Sequence, residues 1–129
     1  MSDQFSHVLL VDDEPDILRL LGFFIKKRAI KITEASNGQE ALKILEENKD
    51  IDLILSDIAM PEMTGIEFLE QLRDNGNKTP FIFVSAYSKQ QGILENRELE
   101  FFDFVVKPIK KDFINQVLDK TFDHFYKKN

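Results

Sequence analysis

Short apolar runs and amphipathic helical patterns alternate along this chain, and no other feature of the sequence narrows its fold as far. Runs at about His7 to Val11, Ile51 to Ser56, Pro80 to Ser85 and Phe102 to Val106 are short, rich in Val, Ile, Leu or Phe, and bounded by polar residues. Each reads as a strand. A further run, Ile30 to Ala35, alternates instead, with Ile30, Ile32 and Glu34 on one face and Lys31, Thr33 and Ala35 on the other. That pattern suits a sheet edge covered on one side only.

Helical periodicity fills the gaps. Ile17, Leu20, Leu21, Phe24 and Ile25 recur at spacings of three and four, and Pro15 is placed to be the first helical residue after an acidic cap candidate. Similar stripes pass through Ala41, Leu42 and Leu45, through Ile66, Leu69 and Leu72, and through Ile114, Val117, Leu118, Phe122 and Phe125. Asn37 and Gly38 read as the turn into the second helix, and Gly76 as the close of the third. Lys89 to Leu99 makes the weakest helix, with Gly92 and few apolar residues, and is expected to be loosely anchored. Alternation of this kind predicts an α/β fold: a doubly wound five-stranded parallel sheet with five helices. With the alternating strand at an edge, the flavodoxin-like strand order 2-1-3-4-5 fits best, and ligands then bind at the carboxyl ends of the strands.

A length of 129 residues without a repeat or a Pro/Gly/Ser linker predicts a single domain over residues 1–129. The formal charge of −6 works against direct nucleic-acid binding and favours a basic partner or a metal ion. Cysteine is absent, which excludes disulfides and thiolate catalysis. No run approaches the ~18 apolar residues of a membrane helix, and the amino terminus lacks a basic n-region, so a cytoplasmic protein with no membrane partner is expected. Most of the 12 Phe lie in apolar periodic runs and read as core.

The residues closing the runs carry the chemistry. Asp12 and Asp13 follow the first, Asp57 the third, Ser85 the fourth and Lys107 the fifth. Taken singly, Asp12 or Asp13 could be a helix N-cap, Asp57 a loop residue ahead of the turn at Met60 and Pro61, Ser85 a cap, and Lys107 a solvated lysine. Together at one sheet edge they form a site. Carboxylates held so close repel, and a hard divalent cation, a nearby Lys or partial protonation relieves them. The acidic group therefore predicts Mg²⁺.

The stretches VDDEP at 11 to 15, DLILSDIAMPEMTG at 52 to 65, VSA at 84 to 86 and VVKP at 105 to 108 resemble the receiver domain of bacterial two-component response regulators, chemotaxis regulators among them. The resemblance covers about Val8 to Phe125. It implies that Asp57 is the phosphoacceptor, taking a phosphoryl group from a histidine kinase, a histidine phosphotransfer protein or a small phosphodonor. It implies Asp13 as principal Mg²⁺ ligand, Asp12 acting mainly through water, and Asp57 and the Ala59 backbone carbonyl completing the protein ligands. Lys107 would pair with one phosphoryl oxygen and Ser85 would hydrogen-bond another, with a cis Lys107–Pro108 peptide and Phe104 as the switch aromatic. Output would pass to a downstream protein through the fourth helix, fifth strand and fifth helix. Such a chain is a signalling receiver that catalyses only its own phosphorylation and dephosphorylation.

The chain departs from that pattern in places. Glu100 and Phe101 stand where a Gly-Ala pair is usual, and Phe104 lacks the hydroxyl of the commoner Tyr. Ala59 and Tyr87 offer no acid or amide to orient a hydrolytic water. Competing readings are a degenerate receiver that binds a partner without phosphorylation, a haloacid-dehalogenase-like phosphatase and a flavodoxin-like carrier. The phosphatase needs an acid where Ala59 stands, and the acidic VDDEP loop would repel a flavin phosphate.

Overall fold

The computed structural model describes residues 4–86 and 100–127. In them β1 (Phe5–Val11), β2 (Ala29–Ala35), β3 (Leu53–Asp57), β4 (Phe81–Ser85) and β5 (Asp103–Val106) form one sheet in the order β2-β1-β3-β4-β5. Every neighbouring pair is parallel. The helices among the described residues are α1 (Pro15–Ile25), α2 (Gly38–Glu47), α3 (Gly65–Asp74) and α4 (Lys111–Phe125), the last being the fifth that the periodicity predicts. The expected Lys89 to Leu99 helix lies outside the described residues, as does Tyr87. No helix among the described residues is long and apolar enough to cross a membrane.

Side chains alternate across the sheet, so each central strand feeds two cores. Leu9 and Val11 of β1, Ile54 of β3, Phe81 and Phe83 of β4 and Phe104 of β5 pack with α2 and α3 through Ala41, Leu45, Phe68, Leu69 and Leu72. Val8, Leu10, Leu53, Leu55, Ile82, Val84 and Val105 pack on the opposite side with α1 and α4 through Leu18, Leu21, Ile25, Ile114, Val117 and Leu118. Burial on both faces explains why these runs are apolar at successive positions.

Strand β2 departs from expectation. Its Ile30 is 74% exposed, Ile32 packs on the α1 and α4 side and Ala35 on the α2 and α3 side, so the edge is not covered along the Ile30, Ile32 and Glu34 face. Phe5, Phe68, Phe81, Phe83 and Phe104 are core as expected, but Phe23, Phe113 and Phe125 face solvent. A stripe fixes which side of a helix is apolar; it does not say how far the opposing layer reaches over it.

The first and third strands also begin elsewhere than their apolar runs. Asp52 accepts hydrogen bonds from the N–H groups of Ser6 and His7 at 2.8 and 3.0 Å, extending β1 back to Phe5. The Asp52 carbonyl accepts from Tyr126 Oη at 2.6 Å, which ties the end of α4 to the start of β3, and burial pushes the Tyr126 phenol up to about 12. Ile51 is buried but precedes the strand.

Helix starts follow local chemistry. Pro15 is the first residue of α1, but the cap is Glu14, without a side-chain cap bond, and neither Asp12 nor Asp13. Asn37 Oδ1 accepts from the Glu40 N–H at 2.8 Å, and Thr64 and Glu67 form a capping box at α3. Gly76, at φ +85°, closes α3 in the left-handed region that glycine enters without a Cβ penalty.

Arg73, in the last turn of α3, secures the route into β4 and β5. Its Nε and Nη2 donate to the Glu100 carbonyl at 3.0 and 2.6 Å, and Nη1 donates to the carbonyls of Asn77 and Thr79 at 3.0 and 2.9 Å. A planar five-donor fork reaches all three acceptors, which a lysine ammonium cannot. Arg73→Ala is expected to cost about 2–3 kcal/mol in urea unfolding, with Arg73→Lys recovering less than half. Equal stability of the Lys variant and the parent would contradict the three-carbonyl clamp.

Candidate functional site

Strand register sets the height of each site residue. Val11 pairs with Ser56, so Asp12 and Asp57 are the next neighbours up; Asp57 pairs with Val84, one step below Ser85; and Ser85 pairs with Val106, one step below Lys107. The polar residues ending four adjacent strands therefore meet at one rim. The Lys107 N–H donates to the Ser85 carbonyl at 2.7 Å, and the Lys107–Pro108 peptide is cis.

Lys107 Nζ is the hub. It lies 3.1 Å from Asp12 Oδ2, 3.5 Å from Asp57 Oδ2 and 3.7 Å from Glu14 Oε1. Asp12, Asp13, Glu14 and Asp57 each offer a carboxylate oxygen, all within 4.8 Å of one another. Asp12 and Asp57 are buried, whereas Asp13 and Glu14 face solvent. Burial raises the pKa of both buried acids; Asp12 raises Asp57 further, and Lys107 pulls both back only in part. Burial works against the Lys107 ammonium, but Asp57, Asp12 and Glu14 outweigh it and raise its pKa. One lysine cannot neutralise four carboxylates. An all-oxygen, over-anionic cluster open on its Asp13 and Glu14 side fits a hard divalent cation.

Backbone contacts aim the nucleophile candidate. Asp57 Oδ1 accepts from the Ile58 N–H at 2.8 Å, leaving Oδ2 toward Lys107. The loop beyond turns through Glu62 at φ +68°, a strained conformation for a residue with a side chain, and returns so that the Gly65 N–H donates to the Ile58 carbonyl at 2.8 Å. At Gly65 a Cβ would collide with the Asp57 carbonyl oxygen. Ala59 is exposed, and Phe104 is turned inward, 5% exposed, among Phe83 and its neighbours.

Sequence reasoning brought Asp12, Asp13, Asp57, Ser85 and Lys107 together but missed two residues. Glu14 was read only as a neighbour of a cap, although three consecutive acids before a Pro-initiated helix already place it at the helix mouth. Gly65 was quoted within a motif and given no role, because the contact that requires it joins two elements.

The sequence pattern of the response regulator receiver domain matches residues 8–119. The chain belongs to that family. It is 31% identical over 123 residues to the transcriptional regulatory protein GlrR of Escherichia coli, covering 95% of this chain and 28% of that protein. Against the transcriptional regulatory protein SrrA of Staphylococcus aureus it is 39% identical over 103 residues, covering 80% of this chain and 42% of that one. The receiver chain thus spans less than half the length of these curated relatives. Among solved structures, the response regulator protein TrrA of Thermotoga maritima, crystallised in complex with Mg²⁺-BeF, superposes with a TM-score of 0.79 at 31% identity, covering 89% of this chain and 97% of that one. The fold, strand order included, is the receiver fold, and the protein is a receiver domain of a response regulator.

Proposed function

We propose that this receiver takes a phosphoryl group onto Asp57 and uses the resulting charge to reshape a protein-binding surface. The supporting observation is the shared Lys107 ammonium, within 3.5 Å of Asp57 Oδ2 and 3.1 Å of Asp12 Oδ2. Asp57 attacks phosphorus in line, the bond from phosphorus to the donor histidine nitrogen breaks with its electron pair staying on the imidazole, which takes up a proton, and an acyl phosphate forms. Lys107 holds a phosphoryl oxygen, and Ser85 donates its hydroxyl to another. Asp13, Asp12, Asp57 and the Ala59 carbonyl would hold Mg²⁺, with Glu14 beside them. The bound cation supplies charge neutralisation for the incoming phosphoryl group.

On this reading residues 1–129 act as one receiver domain in the cytoplasm, with a histidine kinase or histidine phosphotransfer protein as donor. Phe104 and the surface around β5 and α4 transmit the change to a downstream protein, with no direct contact to nucleic acid or membrane. Acetyl phosphate with Mg²⁺ is expected to add one phosphoryl mass, and EDTA to prevent it, as read by intact mass spectrometry. Undiminished labelling in EDTA would overturn the metal's part, and labelling at several residues would overturn the single acceptor.

A further inference from the structure

From Ile17 to Thr33 the chain carries Arg19, Lys26, Lys27, Arg28 and Lys31 and no acidic residue, an isolated basic tract in a protein of net charge −6. Its end forms one wall of a concavity of about 400 Å³ between the last turn of α1 and the start of α4, lined by Phe23, Phe24, Lys26, Lys27, Arg28, Lys111 and Asn115. Phe23 is 61% exposed, and Lys26 Nζ sits 4.8 Å above its ring. Arg28 builds the wall rather than offering charge: it donates to Asn115 Oδ1 at 3.2 Å and pairs with Asp119 at 2.8 Å. Lys26, Lys27 and Lys111 have no acidic partner among the described residues, so their charge is available to a ligand. A second hollow, lined by Asp16, Arg19, Leu20 and Phe23, continues the apolar strip along α1.

We infer that this concavity docks an acidic protein segment that inserts an apolar side chain against Phe23 and Phe24 and sets carboxylates on Lys26, Lys27 and Lys111. Charge complementarity argues for an acidic occupant, and the aromatic floor demands an apolar anchor that a polyanion alone lacks. A concave seat between two helices receives a side chain better than it fits a lipid surface. The site lies at the far end of α1 from Glu14, roughly 16 Å along an 11-residue helix at 1.5 Å per residue, so it is separate from the acidic rim and does not depend on phosphorylation.

The probe is a short synthetic acidic peptide with a central Leu-Phe pair, titrated into ¹⁵N-labelled protein. Shifts are expected to concentrate at residues 20 to 28 and 111 to 115. Double charge reversal, Lys26→Glu with Lys27→Glu at exposed positions, should weaken binding by about tenfold or more, and Phe23→Ser by a similar factor, while Lys43→Glu on α2 leaves it unchanged. Asp57→Asn should bind the peptide as the parent does, which separates this surface from the phosphoryl reading. Unfolding midpoints confirm that the variants fold. Equal affinity of the double reversal, shifts spread over other lysines, or tighter binding of phosphatidylglycerol vesicles or a single-stranded oligonucleotide than of the peptide would overturn the assignment.

Discussion

Asp57→Asn is expected to take up no phosphoryl group and, at neutral pH, to be more stable than the parent chain. The first part follows from the nucleophile: an amide oxygen is a poor nucleophile and forms no acyl phosphate. The second follows from the cost of holding the carboxylate. Asp57 has its pKa raised by burial and then by Asp12, and Asp12 has its own raised chiefly by burial. A group whose folded pKa exceeds its unfolded value stabilises the fold below the unfolded value and loses that contribution as the pH rises through the folded one. At pH 7 both acids are therefore held ionised at a cost. The amide removes one of the two charges while keeping the acceptor for the Ile58 N–H, and Lys107 keeps Asp12 at 3.1 Å and Glu14 at 3.7 Å. Losing a partly exposed contact at 3.5 Å costs about 0.2–1 kcal/mol. Relief of burial and repulsion outweighs it, for a net gain of about 1–2 kcal/mol. Urea midpoints at pH 7 and near pH 4 check this, with the gap narrowing in acid as the parent protonates. A variant that is still labelled, or one less stable at pH 7, would show that Asp57 is not the strained acceptor described.

Gly65→Ala is expected to be the most damaging single-methyl change near the site. The added Cβ would meet the backbone of Asp57 and Ile58, which no rotamer change can relieve. Either α3 retreats, breaking the bond from the Gly65 N–H to the Ile58 carbonyl, or the end of β3 shifts and carries Asp57 away from Lys107. A loss of about 2–4 kcal/mol follows, lowering the melting temperature by roughly 10 °C, because backbone cannot yield as a side-chain tip can. Phosphoryl uptake should fall even where the variant is folded, since an acceptor displaced by an ångström loses its in-line geometry. Gly22 is the control: a Cβ there meets nothing within 4 Å, and Ala in a helix interior gains about 0.5–1 kcal/mol over Gly, so Gly22→Ala should be stabilising. Identical behaviour of the two Ala variants would remove the steric argument.

Much of this architecture was legible in the chain before any coordinates. Apolar runs buried on both faces read as parallel strands, Pro15 marked the start of α1, Gly76 marked the end of α3, and the residues after each run were the ones that met at the rim. These are local signals, set by side-chain period and backbone conformation within a few residues. The edge strand was misread because Ile30 and Ile32 share a face by alternation, yet α1 covers only the second.

The amino-acid order by itself determined the element sequence, the doubly wound topology and the heights of Asp12, Asp57, Ser85 and Lys107 along their strands. The tertiary structure alone decided how those residues divide the work of one small space. It buried Asp12 and left Asp13 in solvent, gave Lys107 three carboxylates at once, turned Phe104 inward, set Arg73 on three carbonyls and pressed Gly65 against Asp57. Lys107 and Asp12 are 95 residues apart, and no local pattern records the 3.1 Å between them. That distance is a property of packed layers, where burial and charge are set by whichever distant residues the fold brings alongside.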